Sequence, residues 1–107
     1  MTDIDRDQVQ RMMDEQAAVV VDVLPPESYA ESHLPGAINV PLGDDFDTAI
    51  ATTVANKAQP VIVYCWDESC PASPEAAARM EALGYTRVYD YVAGKADWLA
   101  AGKPVAP

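Results

Sequence analysis

Positive charge is scarce in this chain. Its 7 lysines and arginines stand against 17 aspartates and glutamates, a formal net charge of -10. That balance argues against nucleic acid as a partner, because binding it needs clustered Lys and Arg. It argues equally against an anionic membrane surface, and a small anionic substrate would meet a repulsive long-range field. No long uninterrupted apolar segment occurs, so no transmembrane helix is expected. The acidic, polar start from Met1 to Asp7 does not fit a signal peptide, which makes the cytoplasm the expected compartment. The 2 cysteines, Cys65 and Cys70, are too few for a disulfide scaffold. Their spacing is not C-x-x-C. With His33 as the sole histidine, they are also too few for a dedicated zinc site, so neither metal nor cofactor is expected.

Half of the 107 residues are hydrophobic, which suits one packed domain spanning residues 1–107. No internal repeat and no linker interrupts it. Val9, Met12 and Met13 recur at helical spacing within 5–16, predicting an amphipathic helix. Ala18 to Val23 is a continuous apolar run broken only by Asp22, as in a strand buried on both faces of a parallel sheet. Pro25-Pro26 ends it, and one or two helical turns follow to Ser32. Leu34 to Ala37 is a turn, and Ala37 to Val40 a short strand stopped by Pro41. Phe46, Ile50 and Val54 line one face of a helix reaching about Asn56. Val61 to Tyr64 is a buried strand. The next helix takes Ser73 as N-cap and Pro74 as its first residue. Ala76, Ala77, Met80 and Leu83 form its buried stripe, and Gly84 ends it. Arg87 to Val92 is the last strand, followed by a short helix around Trp98. Strands alternating with helices give an α/β domain with a mainly parallel sheet.

Cys65 stands out within this pattern. It follows a buried strand and precedes a helix start, facing backbone N–H groups and the positive end of a helix dipole. Such a setting lowers a thiol pKa and yields a nucleophilic thiolate.

The order of motifs resembles the rhodanese-like domain family. Val20-Val21-Asp22-Val23 is similar to its "[LI]-[IV]-D-V-R" strand, with Leu24 in place of arginine. Pro26 through Pro41, reading P-E-S-Y-A-E-S-H-L-P-G-A-I-N-V-P, closely resembles the "E-Y-x-x-G-H-I-P-G-A-I-N-I-P" signature. Val63-Tyr64-Cys65 matches the strand that delivers the family's cysteine. Gly84-Tyr85 through Val88, Ala93-Gly94 and Trp98 resemble the closing "G-[FY]-x-x-V…G-G…W" pattern. The likeness runs from about residue 17 to residue 104.

The resemblance implies a sheet of about five strands with helices on both faces, and a site at the carboxyl end of a central strand. It implies sulfur transfer: a cysteine takes a sulfane sulfur from a donor, holds it as a persulfide and passes it to a nucleophile. Carried over, Cys65 is the nucleophile and the active-site loop holds Trp66, Asp67, Glu68, Ser69, Pro71 and Ala72. Its backbone N–H groups are expected to cradle the sulfur anion. The partners are then a sulfane-sulfur donor and a thiol acceptor, which can be a protein.

The loop departs from the family pattern. It contains no glycine and no arginine, and runs about two residues longer than the common form. The arginine that the related cysteine phosphatases need is replaced by Pro71. Asp67 and Glu68 oppose an anionic donor and are expected to raise the Cys65 pKa. Lys95 is the one nearby base that could offset them. Cys70 adds a second thiol, able to resolve a Cys65 persulfide or sulfenic acid, to hold the sulfur itself, or to do nothing.

Blander roles compete elsewhere. His33 could be a general base, but its place in the motif favours bonding to nearby backbone. Asp22 is expected to stiffen the active-site end of the sheet through neighbouring N–H groups. Trp66 either walls the pocket or packs beneath it, and Trp98 belongs to the core. The acids Asp44, Asp45 and Asp47 suit a solvated helix start better than a cation site. Two other functions stay open beside sulfur transfer. One is a non-catalytic binding module with an acidic docking surface, the other a Cys65–Cys70 thiol redox sensor.

Overall fold

The computed structural model describes residues 1–107. Five strands form one wholly parallel sheet in the order β1-β5-β4-β2-β3. They are β1 (Thr2–Ile4), β2 (Val19–Asp22), β3 (Ile38–Asn39), β4 (Val61–Tyr64) and β5 (Val88–Tyr91). The helices are α1 (Arg6–Asp14), α2 (Pro26–Glu31), α3 (Phe46–Thr53), α4 (Ala72–Ala82) and α5 (Gly94–Ala100). None is long and apolar enough to cross a membrane.

The central strand β4 is buried at every position, because apolar clusters cover both faces. On one side Val21, Val61, Val63, Cys65 and Val88 meet Phe46 and Ile50 of α3 and Ala76, Ala77 and Met80 of α4. On the other, Ile4, Val20, Ile62, Tyr64 and Tyr91 meet Val9 of α1 and Trp98 of α5. Strand alternation makes this division: residues two apart share a face, and pairing in register keeps neighbouring strands in step. Val63 therefore sits beside Asp90, and Tyr64 beside Asp22.

The structure corrects several sequence expectations. Residues 2–4 had no strand signal, since two of the three are polar and exposed, yet they pair with Tyr89–Tyr91 as the outer strand β1. Helix α3 stops at Thr53, with Val54 as its cap. Helix α4 starts at Ala72, with Pro71 in the cap position and no side-chain cap bond. Ser73 therefore lies inside the first turn, buried, and is not an N-cap. Leu83 forms the C-cap and is only half-buried against the core. Gly94 and Lys95 open α5.

Candidate active site

Cys65 leaves the carboxyl end of β4 and points toward the α4 face of the sheet, where it is 1 % exposed. Its Sγ donates to the Cys70 carbonyl at 3.5 Å. The loop between them is drawn into a turn by Asp67. The Asp67 carbonyl accepts from the Cys70 N–H at 3.0 Å, and its Oδ1 accepts from the Ser69 N–H at 3.0 Å. Gln16 is the only non-glycine residue with positive φ. The loop thus turns without any left-handed residue, which explains how it manages without glycine. The Cys70 carbonyl faces the resting sulfur on one side, and the Ser73 N–H and hydroxyl act on it from the first turn of α4.

The carboxyl half of the site holds the loop from behind. Lys95 N–H donates to the Cys65 carbonyl at 2.9 Å, and Ala96 N–H to the Trp66 carbonyl at 2.8 Å. So close an approach requires Gly94: a Cβ there would lie 2.6 Å from the Trp66 carbonyl oxygen, and its φ is +70°. Trp66 itself is an exposed loop side chain rather than one packed beneath the site.

The Cys65 thiol is pushed up to about 11, against the lowering expected from the helix start. Burial is the main cause, the Cys70 side chain adds to it, and the Ser73 hydroxyl and N–H pull the other way. The α4 amino end therefore helps the thiolate, but desolvation wins. Asp67 and Glu68, expected to raise this thiol, are not among the causes.

Ser73 acts on both the thiol and Asp90, a residue with no role assigned from sequence. Asp90 is buried on the same face, next to Val63, and its Oδ1 has no partner. Burial raises its pKa, the Ser73 hydroxyl draws it back, and Asp3 on the neighbouring strand raises it further. The signal was available: a strand over 87–92 pairs Asp90 within two residues of Cys65 on one face.

The remaining predicted residues lie behind or beside this cluster. Asp22 faces the opposite side, accepting from the Leu24 N–H at 2.8 Å and the Tyr64 hydroxyl at 2.7 Å. Burial raises its pKa, and those two bonds oppose the rise. Tyr64 in turn accepts from the Leu34 N–H at 3.1 Å, tying the turn at 34–37 to the sheet. His33 stacks on Tyr29 at 3.8 Å and its Nδ1 lies 3.0 Å from the Tyr29 carbonyl. No hydrogen bond joins it to Cys65. Lys95 does not offset the loop acids. Its Nζ is buried and donates to the carbonyls of Ser28 and Ser32 and the Ser28 hydroxyl, at 2.8–2.9 Å. Its Nζ lies 5.8 Å from the centre of the Trp66 ring. Glu68 and Pro71 are exposed, Asp67 and Ala72 half-buried.

No cluster of three or more His, Cys, Asp or Glu side chains is placed to hold a metal ion. A groove lined by Met13, Val19, Val20, Ile38 and Trp98 lies at the amino end of the strands, away from Cys65. Cys65 lines none of the surface grooves.

The rhodanese-like domain model matches residues 5–101. The chain belongs to the rhodanese-like domain family. Within the family it is 40 % identical over 68 residues to the thiosulfate sulfurtransferase PspE of Escherichia coli, covering 64 % of this chain and 62 % of that protein. It is 36 % identical over 84 residues to the thiosulfate sulfurtransferase GlpE of Pseudomonas fluorescens, covering 78 % and 72 %. It is also 32 % identical over 104 residues to the HTH-type transcriptional regulator Rv0324 of Mycobacterium tuberculosis. There the match covers 95 % of this chain but only 43 % of the regulator. The chain thus spans less than two thirds of two of these relatives. The crystal structure of BH2092 protein from Bacillus halodurans superposes with a TM-score of 0.83 at 28 % identity, covering 98 % of this chain and 76 % of that one.

Proposed function

We propose that this rhodanese-like domain is a sulfurtransferase that carries a sulfane sulfur on Cys65 and passes it to a thiol. The observation that carries this reading is the placement of Cys65. It is the one side chain that ends the central strand and also faces the first turn of α4, where the Ser73 hydroxyl and N–H favour its anion. Relatives that carry the name thiosulfate sulfurtransferase support it.

The chemistry balances in two displacements. The Cys65 thiolate attacks the sulfane sulfur, the donor's sulfur–sulfur bond breaks, and the donor remainder leaves with the electron pair. An acceptor thiolate then attacks the terminal sulfur, and Cys65 leaves as thiolate. The buried, protonated resting thiol must be uncovered or relieved of its proton before the first step. An acidic chain of net charge -10 favours a neutral or basic acceptor surface over a phosphorylated one.

Intact mass tests the reading. After incubation with thiosulfate or an organic persulfide, one added sulfur is expected on Cys70→Ser, which keeps Cys65 as its single thiol, and none on Cys65→Ser. No added sulfur from either donor would leave the non-catalytic binding module as the better account.

A further inference from the structure

We propose that Cys70 is the resolving thiol of this site, attacking the Cys65 persulfide to expel hydrosulfide and leave a Cys65–Cys70 disulfide. This rests on the persulfide reading above and assigns the second thiol a step of its own.

Three observations carry it. The Cys65 Sγ already touches Cys70, through the 3.5 Å bond to its carbonyl. The turn at Asp67 folds the intervening loop back, which brings the Cys70 backbone against the Cys65 sulfur. The Cys70 side chain packs against the same apolar cluster that contains Cys65. That side chain is therefore half-buried at the edge of the site. Both cysteines are free thiols, and no others exist in the chain.

The surroundings also make a persulfide a poor resting state. A persulfide anion on Cys65 would have Ser73 as its donor but would also meet the Cys70 carbonyl oxygen, in a buried pocket that disfavours charge. An adjacent thiol at high effective concentration is a ready route out. Cys70 sulfur attacks Cys65 Sγ, the persulfide sulfur–sulfur bond breaks, and the terminal sulfur leaves with the electron pair. It takes the Cys70 proton and departs as hydrosulfide. The sulfane sulfur is thereby reduced to sulfide, and the two cysteines are oxidised to a disulfide. A dithiol reductant returns them to thiols and completes the cycle. On this route the sulfur leaves as hydrosulfide: Cys70 supplies the first reducing thiol, and an external dithiol supplies the electrons that restore the pair.

The test compares wild type, Cys70→Ser, Cys70→Ala and Cys65→Ser, each pre-reduced, desalted and treated anaerobically with thiosulfate or glutathione persulfide. Intact mass and trapped sulfide are read together. Both Cys70 variants should gain one sulfur and release no sulfide. Wild type should instead lose two hydrogens, release one sulfide per chain and yield a Cys65–Cys70 linked peptide. Cys65→Ser should remain unchanged. Wild type that holds the extra sulfur as stably as the Cys70 variants would overturn the inference while leaving sulfur transfer intact. So would a disulfide that forms equally without donor and without sulfide. Failure of the Cys70 variants to take up sulfur would overturn both readings.

Discussion

The backbone N–H of Lys95 donates to the carbonyl of Cys65 across 2.9 Å, joining the first turn of α5 to the residue that carries the thiol. The contact depends on Gly94, whose missing side chain lets the two backbones meet. Gly94→Ala should therefore push the loop away. A loss of about 1–3 kcal/mol is expected from the strained φ alone, with a larger proportional loss of sulfur transfer. Gly102→Ala is the matched control, because its φ is also +70° but nothing lies within 4 Å of the added Cβ. Equal effects of the two substitutions on transfer would remove the loop-anchoring role.

The thiol titration gives a second prediction. With Cys65 pushed up to about 11 by burial and by Cys70, its alkylation by iodoacetamide should be slow at neutral pH. The rate should climb about tenfold per pH unit until the thiol ionises. Cys70→Ala removes one of the raising influences and should bring the midpoint down. Peptide mapping after timed alkylation reads each cysteine separately. A rate already maximal at neutral pH would show that the thiolate is the resting form.

Asp90 should make stability depend on pH. Its carboxyl is raised from 3.8 in the fold, so its protonated form is the one the fold prefers. The stability it contributes is fully present below 3.8 and is lost as pH rises through the folded value. Asp90→Asn keeps the shape and removes the charge. It should stabilise the domain near neutral pH by about 1–3 kcal/mol, and this advantage should shrink on acidification. Thermal melts of both proteins across that range check it; a pH-independent difference would contradict it.

The loop acids are not equivalent. Asp67 builds the turn through its Oδ1, so replacing it changes geometry as well as charge. Glu68 is exposed and is the clean test. Glu68→Gln should raise kcat/KM for thiosulfate about two- to fivefold at low salt, the scale of an exposed charge pair. The gain should fade as salt screens it. A gain that ignores ionic strength would argue against an electrostatic origin.

Much of this architecture was legible in residue order. The uninterrupted runs at β2 and β4 could only be strands covered on both faces, and the spacing of Phe46 and Ile50 marked a helix face. What stayed hidden depends on long-range contact. β1 holds three residues with one buried side chain, Ile4, and exists only because β5 offers a partner. Ser73 looked like a cap because caps are read from neighbouring residues, whereas its burial comes from the sheet beneath it. Burial as the cause of the Cys65 shift was missed for a similar reason. Sequence shows the helix start that stabilises a thiolate, but not the enclosure that opposes it. Lys95 was placed near the loop, yet its ammonium is taken by Ser28 and Ser32, far away in the chain.

The short outer strand has a consequence for solubility. Without β1, the row of backbone donors and acceptors along Tyr89–Tyr91 would form an open, aromatic-rich sheet edge, inviting another chain to add itself there. Thr2–Ile4 occupies that edge and presents Asp3 as an exposed charge beside it. Three residues with little packing of their own thus act as a gatekeeper against intermolecular strand pairing.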